Sequence, residues 1–126
     1  MEVEYVNSSL AISPLAWLIL GHLAGDFLFQ TRWMALNKPH SYKALFIHSF
    51  VYTAFVTISS FFFGGLHVLS YVLIFVIHLI LDKRDLLKWW LGIITKAEDE
   101  WLAIVTDQIF HLFTLVAALY LTIYLG

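Results

Sequence analysis

The chain has 126 residues, of which 61% are hydrophobic and 13% are charged, and its formal net charge at pH 7 is -2. This apolar content exceeds that of ordinary soluble proteins and predicts a single domain, residues 1–126, embedded in a lipid bilayer. The few basic residues form no extended basic face, which excludes nucleic acid as a partner. Cysteine is absent, so any metal must be held by nitrogen and oxygen atoms.

Four hydrophobic segments predict transmembrane helices, because a helix that crosses the hydrocarbon layer needs roughly 20 mostly apolar residues. The predicted helices span about residues 13–30, 42–63, 66–82 and 101–125. Ser13 and Pro14 are typical of a helix start, and the acidic residues 98–100 suit the start of the last helix. The expected fold is therefore all-α, an integral membrane four-helix bundle.

The basic residues predict how this bundle is oriented. They lie between the first and second helices and between the third and fourth helices: Arg32, Lys38, Lys43, Lys83, Arg84, Lys88 and Lys96. By the positive-inside rule, these two connections face the cytoplasm and both termini lie outside. Residues 85–94 combine Leu and Trp with charged positions, which predicts a short amphipathic helix on the cytoplasmic interface.

Ionisable residues, which are rare in membrane helices, occur on all four predicted helices. The first, third and fourth helices each carry a His and an Asp four residues apart, and this spacing places both on one helical face. The complete set is His22, Asp26, His48, His78, Asp82, Asp107 and His111. At 1.5 Å per residue, all seven are expected within roughly 10 to 15 Å of the cytoplasmic boundary. Facing inward, they form one site.

A metal ion is the expected compensation for burying these groups. An Asp at the centre of a membrane helix costs on the order of 2.5 to 3.5 kcal/mol, and imidazoles and carboxylates are good ligands for divalent ions. We therefore predict one or two divalent ions (Zn, Mn or Fe) held by the seven residues, with Gln30 and Gln108 as hydrogen-bonding groups behind the ligands or facing a substrate. Gly21 and Gly25 are expected to let a neighbouring helix backbone approach closely.

The segment Gly21–Gln30, Gly-His-Leu-Ala-Gly-Asp-Phe-Leu-Phe-Gln, resembles the opening motif of a family of small prokaryotic membrane proteins catalogued as a domain of unknown function. Later elements of that family's pattern are His48, His78 with Asp82, and Asp107-Gln108 with His111. The resemblance covers about residues 20–111 and implies a location in the inner membrane of a prokaryotic cell. More distantly, the His-x-x-x-Asp spacing is similar to that of membrane-bound metal-dependent hydrolases.

The leading functional interpretation is a metal-dependent hydrolase acting on a lipid or lipid-linked (phospho)ester at the cytoplasmic leaflet. Asp26 and Asp107 are the candidate catalytic carboxylates, one of them left free to act as a general base. Transport of a metal ion or proton is an alternative, although the outer half offers mainly Ser and Thr as polar groups. A haem site with two histidine ligands and a non-catalytic subunit with a structural polar cluster are further alternatives, and a homodimer stays open.

Overall fold

A computed structural model describes residues 11–126 of the chain. Every regular element in that range is helical. The helices are α1 (Pro14–Leu23), α2 (Arg32–Asn37), α3 (Tyr42–Ser60), α4 (Val68–Asp82), α5 (Asp85–Trp90) and α6 (Glu100–Leu125). Three of them continue in other helical turns: α1 in the π-helical Ala24–Leu28, α3 in the 3₁₀-helical Phe61–Phe63, and α5 in the π-helical Leu91–Thr95. The all-α class is confirmed, whereas the predicted outside location of the N-terminus concerns residues 1–10, outside the described residues.

The four longer helices pack around one apolar core. Helix α1 packs against α3, α3 against α4, α4 against α6, and α6 returns to α1. The core side chains come from all four helices: Leu18, Tyr52, Val56, Ile74, Leu115 and Ala118. Each of them is at most 2% exposed, so their burial contributes directly to the packing of the four helices.

Not all of the described helices are long enough to cross a membrane. Tyr42–Phe63 and Glu100–Leu125 are long and apolar enough to cross one. The other two elements, Pro14–Leu28 and Val68–Asp82, are apolar but shorter, whereas the sequence predicted helices at about residues 13–30 and 66–82. The 15 residues of α4 cover roughly 22 Å of a hydrocarbon layer about 30 Å thick. A crossing by α1 and α4 therefore stays a prediction.

The connection between α1 and α3 contains a short helix that the sequence did not predict. The backbone N–H of Met34 donates a hydrogen bond to the Thr31 hydroxyl, 3.2 Å away, and this contact caps the start of α2. The Met34 side chain is buried, and α2 packs against α3. This packing fixes the position of Lys38, the residue after α2, near the end of α4.

The connection between α4 and α6 folds as a second short helix. Helix α5 and its π-helical turn cover Asp85–Thr95, where the sequence predicted an amphipathic helix at about residues 85–94. Leu87 is 3% exposed and Trp89 is 55% exposed, so one face is packed and the other is open. Its location at a membrane interface stays a prediction.

Helices α1 and α3 approach closely at two glycines, as expected from the sequence. A Cβ atom added to Gly25 would lie 2.9 Å from Cα of Tyr52, and one added to Gly21 would lie 2.8 Å from Cβ of Ser59. Both distances are too short for ordinary van der Waals contact, so a larger residue would force the helices apart. The glycines therefore keep the neighbouring residues, His22 and Asp26, close to α3.

Replacing Gly25 by Ala should lower the thermal unfolding midpoint, because the added methyl group meets the backbone of Tyr52. The expected loss is about 1 to 3 kcal/mol, the usual cost of overpacking. Circular dichroism of the protein in detergent measures it. Gly92→Ala is the matched control, since a Cβ there meets nothing within 4 Å. Equal midpoints for the two variants would show that the close approach is not needed.

Candidate metal centre

The seven ionisable residues form one buried cluster directly beside the apolar core. Each of its four histidines lies four residues from a core side chain on the same helix face: His22 from Leu18, His48 from Tyr52, His78 from Ile74, and His111 from Leu115. All seven cluster residues are buried, and Asp107 is the most exposed of them at 8%. The apolar core and the polar cluster are thus two adjacent layers of the same four helices.

Two carboxylates and two imidazoles converge inside this cluster. Asp26, His78, Asp82 and His111 each offer one ligand atom, and these four atoms all lie within 4.8 Å of one another. Nε2 of His78 lies 2.9 Å from Oδ2 of Asp82, and Nε2 of His111 lies 3.3 Å from Oδ1 of Asp82. These four residues, called the ligand group below, could hold one metal ion. Mixed imidazole and carboxylate ligands suit zinc and related divalent ions.

One ring nitrogen of His111 makes a hydrogen bond, which leaves the other ring nitrogen able to bind a cation. Nδ1–H of His111 donates to the backbone carbonyl of Asp107 at 2.7 Å, which places the lone pair on Nε2. Within residues 11–126, Nε2 of His111 and both ring nitrogens of His78 are buried without a hydrogen-bond partner. Nε2 of His78 is close to Asp82 but is not aligned for a hydrogen bond. A cation bound there would satisfy both Nε2 atoms.

His48 connects the two carboxylates of the ligand group. Its Nε2–H donates to Oδ1 of Asp26 at 3.0 Å, and the same nitrogen lies 3.0 Å from Oδ2 of Asp82. Asp26 itself lies in the π-helical turn, where N–H of Phe29 donates to the carbonyl of Ala24 at 2.9 Å. Such turns occur often at functional sites. His48 on α3 thus links Asp26, which follows α1, to Asp82 at the end of α4. Its role as a metal ligand stays a prediction.

His22 lies in the cluster but is held by two hydrogen bonds outside the ligand group. Its Nε2–H donates to Oε1 of Gln108 at 2.6 Å, and the Tyr52 hydroxyl donates to its Nδ1 at 2.9 Å. Both ring nitrogens are therefore engaged, and a ligand role for His22 would require one bond to break. Gln108 supports a cluster histidine, whereas Nε2 of Gln30 donates to the backbone carbonyl of Asp26 at 2.9 Å.

Asp107 lies beside the ligand group rather than in it. Its Oδ1 is 3.7 Å from Nδ1 of His111, and His22 and Asp107 both lie outside the four residues that converge. Among residues 11–126, this is the single set of three or more His, Asp or Glu side chains that could share an ion. The geometry therefore favours one bound ion. The number of ionisable residues alone had allowed one or two.

Sequence reasoning missed two residues of the site. Nζ of Lys38 donates to Oδ2 of Asp82 at 2.9 Å, a contact between residues 44 positions apart that no local pattern predicts. Tyr52 contacts His22 and stacks on His78 with ring centroids 3.7 Å apart. Its position four residues after His48 is a signal that could have identified it.

Replacing Lys38 by Met should destabilise the protein in the presence of a chelator, because Asp82 loses its cationic partner. Breaking a buried ion pair costs about 3 to 5 kcal/mol, and thermal unfolding in detergent measures the loss. Added zinc should restore most of the stability, since it would neutralise the same carboxylate. Lys43→Met, at an exposed position in the first turn of α3, is the control and should unfold like the wild type. A Lys38→Met protein that zinc does not stabilise would contradict a cation site at Asp82.

Comparison with known proteins identifies the family of this chain. No curated protein and no solved structure matches it. The model of one protein family matches residues 15–126, a range that contains all seven residues of the buried cluster. The chain therefore belongs to the family described as protein of unknown function, DUF3307.

Proposed function

We propose that this protein is a membrane-embedded, metal-dependent hydrolase acting on a lipid or lipid-linked phosphoester at the cytoplasmic leaflet. The observation that carries the proposal is the convergence of two imidazoles and two carboxylates within 4.8 Å. Asp26 and Asp82 are together two negative charges, of which Lys38 offsets one. A bound divalent ion would offset the remainder, lower the pKa of a coordinated water to about 7, and stabilise negative charge on the phosphoester.

The surface of the helices supports a membrane location. Many large apolar side chains are exposed on α3, α4 and α6, including Phe50 at 65%, Leu69 at 51% and Phe113 at 68%. A surface of this kind suits lipid better than water. The cluster lies where α1 and α4 end and where α3 and α6 begin, next to the basic connections. By the positive-inside rule, this position supports a cytoplasmic location of the cluster.

The carboxylates of the cluster differ in their contacts and therefore in the roles that we propose for them. Asp26 and Asp82 belong to the ligand group, whereas Asp107 stays outside it and is the most exposed cluster residue. A carboxylate beside a metal site, rather than in it, is available to accept a proton from the attacking water. We therefore assign Asp107 as the general base and Asp26 as a ligand.

The polar groups in the outer half argue against ion transport. Ser70 donates to the carbonyl of Ala118 at 2.8 Å and contacts the Thr122 hydroxyl at 2.8 Å. Ser60 and Tyr71 share a hydrogen bond of 2.6 Å. These side chains join helices to one another, so their hydroxyl groups are engaged in packing rather than free to conduct an ion. A cluster used for packing alone would be expected to satisfy its ring nitrogens, unlike those of His78 among the described residues.

Zinc binding should depend on the ligand group. Purified protein loaded with zinc and then dialysed should retain about one ion per chain, since one ligand group can hold one ion. His111→Ala should lose most of that zinc, while His40→Ala, at an exposed position, should retain it. Elemental analysis by mass spectrometry gives the ratio. A wild-type protein that retains no zinc, or a His111→Ala protein that retains as much, would refute the metal site.

Removing the general base should separate catalysis from metal binding. Asp107→Asn should keep the zinc ratio of the wild type, because Asp107 lies outside the ligand group. Its kcat should fall by about 10²- to 10⁴-fold, the usual contribution of a general base. Release of phosphate or lipid product from a panel of phospholipids measures the rate. An unchanged kcat would remove Asp107 from the mechanism, and no wild-type product from any phospholipid would count against hydrolysis.

A further inference from the structure

The seam between α3 and α4 carries a small basic pocket at the end nearest the polar cluster. Its lining includes Lys38, His40, Tyr42 and Lys83, and its volume is about 40 Å³. Nζ of Lys83 donates to the Tyr42 hydroxyl at 2.5 Å, so one ammonium group is held at the rim. The other, on Lys38, also contacts Asp82 of the ligand group at 2.9 Å. Two ammonium groups at the positive end of α3 suit a phosphate group.

The same seam carries an apolar groove further along the two helices. The groove has a volume of about 520 Å³ and is lined by Phe50, Thr53 and Ala54 from α3 and by Val72 and Phe75 from α4, among others. Its lining is almost entirely apolar carbon. This volume lies within the roughly 300 to 1,000 Å³ range of ligand pockets, and an apolar chain is the occupant that its surface fits.

The basic pocket and the apolar groove lie along the same face of α3. The distance from the pocket into the groove is about the length of a lipid chain. Tyr42, Phe46, Phe50 and Thr53 follow one another at three or four residues and therefore lie on one face of α3. The 11 steps along the helix from Tyr42 to Thr53 cover roughly 16 Å. One leaflet of a bilayer has about half of the 30 Å hydrocarbon thickness. A lipid with its phosphate in the basic pocket would thus extend its chain into the groove.

We infer that the α3–α4 seam binds one anionic phospholipid, with its phosphate in the basic pocket and an acyl chain in the apolar groove. The inference rests on the proposed function and specifies its substrate class, because Lys38 connects the phosphate position to Asp82. The basic pocket and the apolar groove together favour a lipid as the occupant, because a phospholipid supplies both a phosphate group and an apolar chain. The charge of the pocket selects an anionic headgroup over a zwitterionic one.

Lipid titration of the purified protein tests the seam directly. Native mass spectrometry gives the Kd for dioleoyl phosphatidylglycerol and, separately, for dioleoyl phosphatidylcholine. Wild type should bind the anionic lipid about tenfold more tightly, the worth of one charge-assisted hydrogen bond. Lys83→Gln should remove most of that preference, and Ala54→Trp should weaken both lipids by filling the groove. The matched controls are Lys88→Gln on α5 and Ala117→Trp on α6, both at exposed positions, and both should bind like wild type.

Two results would overturn the inference. One is an equal affinity of wild type for the two lipids. The other is full displacement of the lipid by glycerol 3-phosphate with no effect of Ala54→Trp, which would reduce the seam to a phosphate pocket. Zinc content of the same samples separates the two proposals. Normal zinc without lipid selectivity refutes the seam alone, whereas selective lipid binding by a protein that holds no zinc refutes the proposed function and leaves lipid binding in place.

Discussion

The charges of Asp26 and Asp82 are the constraint on which the rest of the structure depends. These side chains are 4% and 2% exposed, and taking a carboxylate out of water costs several kcal/mol even after the surroundings relax. The compensation comes from other helices and loops: His48 on α3 contacts both carboxylates, and Lys38 after α2 contacts Asp82. Since these partners meet only when the helices are packed, a cation bound among them would stabilise the folded state itself.

Other features of the fold keep these groups together. The glycines of α1 bring its backbone against α3, and the apolar layer of Leu18, Tyr52, Ile74 and Leu115 fixes the rotation of the four helices one turn from the histidines. At the end of the bundle away from the cluster, hydrogen bonds such as that between Ser70 and the Ala118 carbonyl link α4 to α6. The site is therefore held on both sides, by a close backbone contact and by a packed core, which is the arrangement that a metal centre of fixed geometry needs.

The sequence predicted the helical class and the set of buried ionisable residues, because the spacing of four between His and Asp reports which side chains share a helix face. It could not predict contacts that depend on which helices are neighbours. Lys38 and the helix before it were missed for this reason, and His22 was expected to be a ligand although Tyr52 and Gln108 engage its ring. The helical turns of the first and third predicted segments cover Pro14–Leu28 and Val68–Asp82, where the sequence predicted helices at about residues 13–30 and 66–82.

X-ray absorption spectroscopy of the zinc-loaded protein tests the central claim most directly, because it reports the atoms bound to the metal without requiring a substrate. The account predicts imidazole scattering from two histidines together with carboxylate oxygens, all at roughly 2.0 to 2.2 Å from the zinc. That pattern matches the ligand group, in which Asp26, His78, Asp82 and His111 converge. A first shell of oxygen atoms alone, with no imidazole signal, would contradict it.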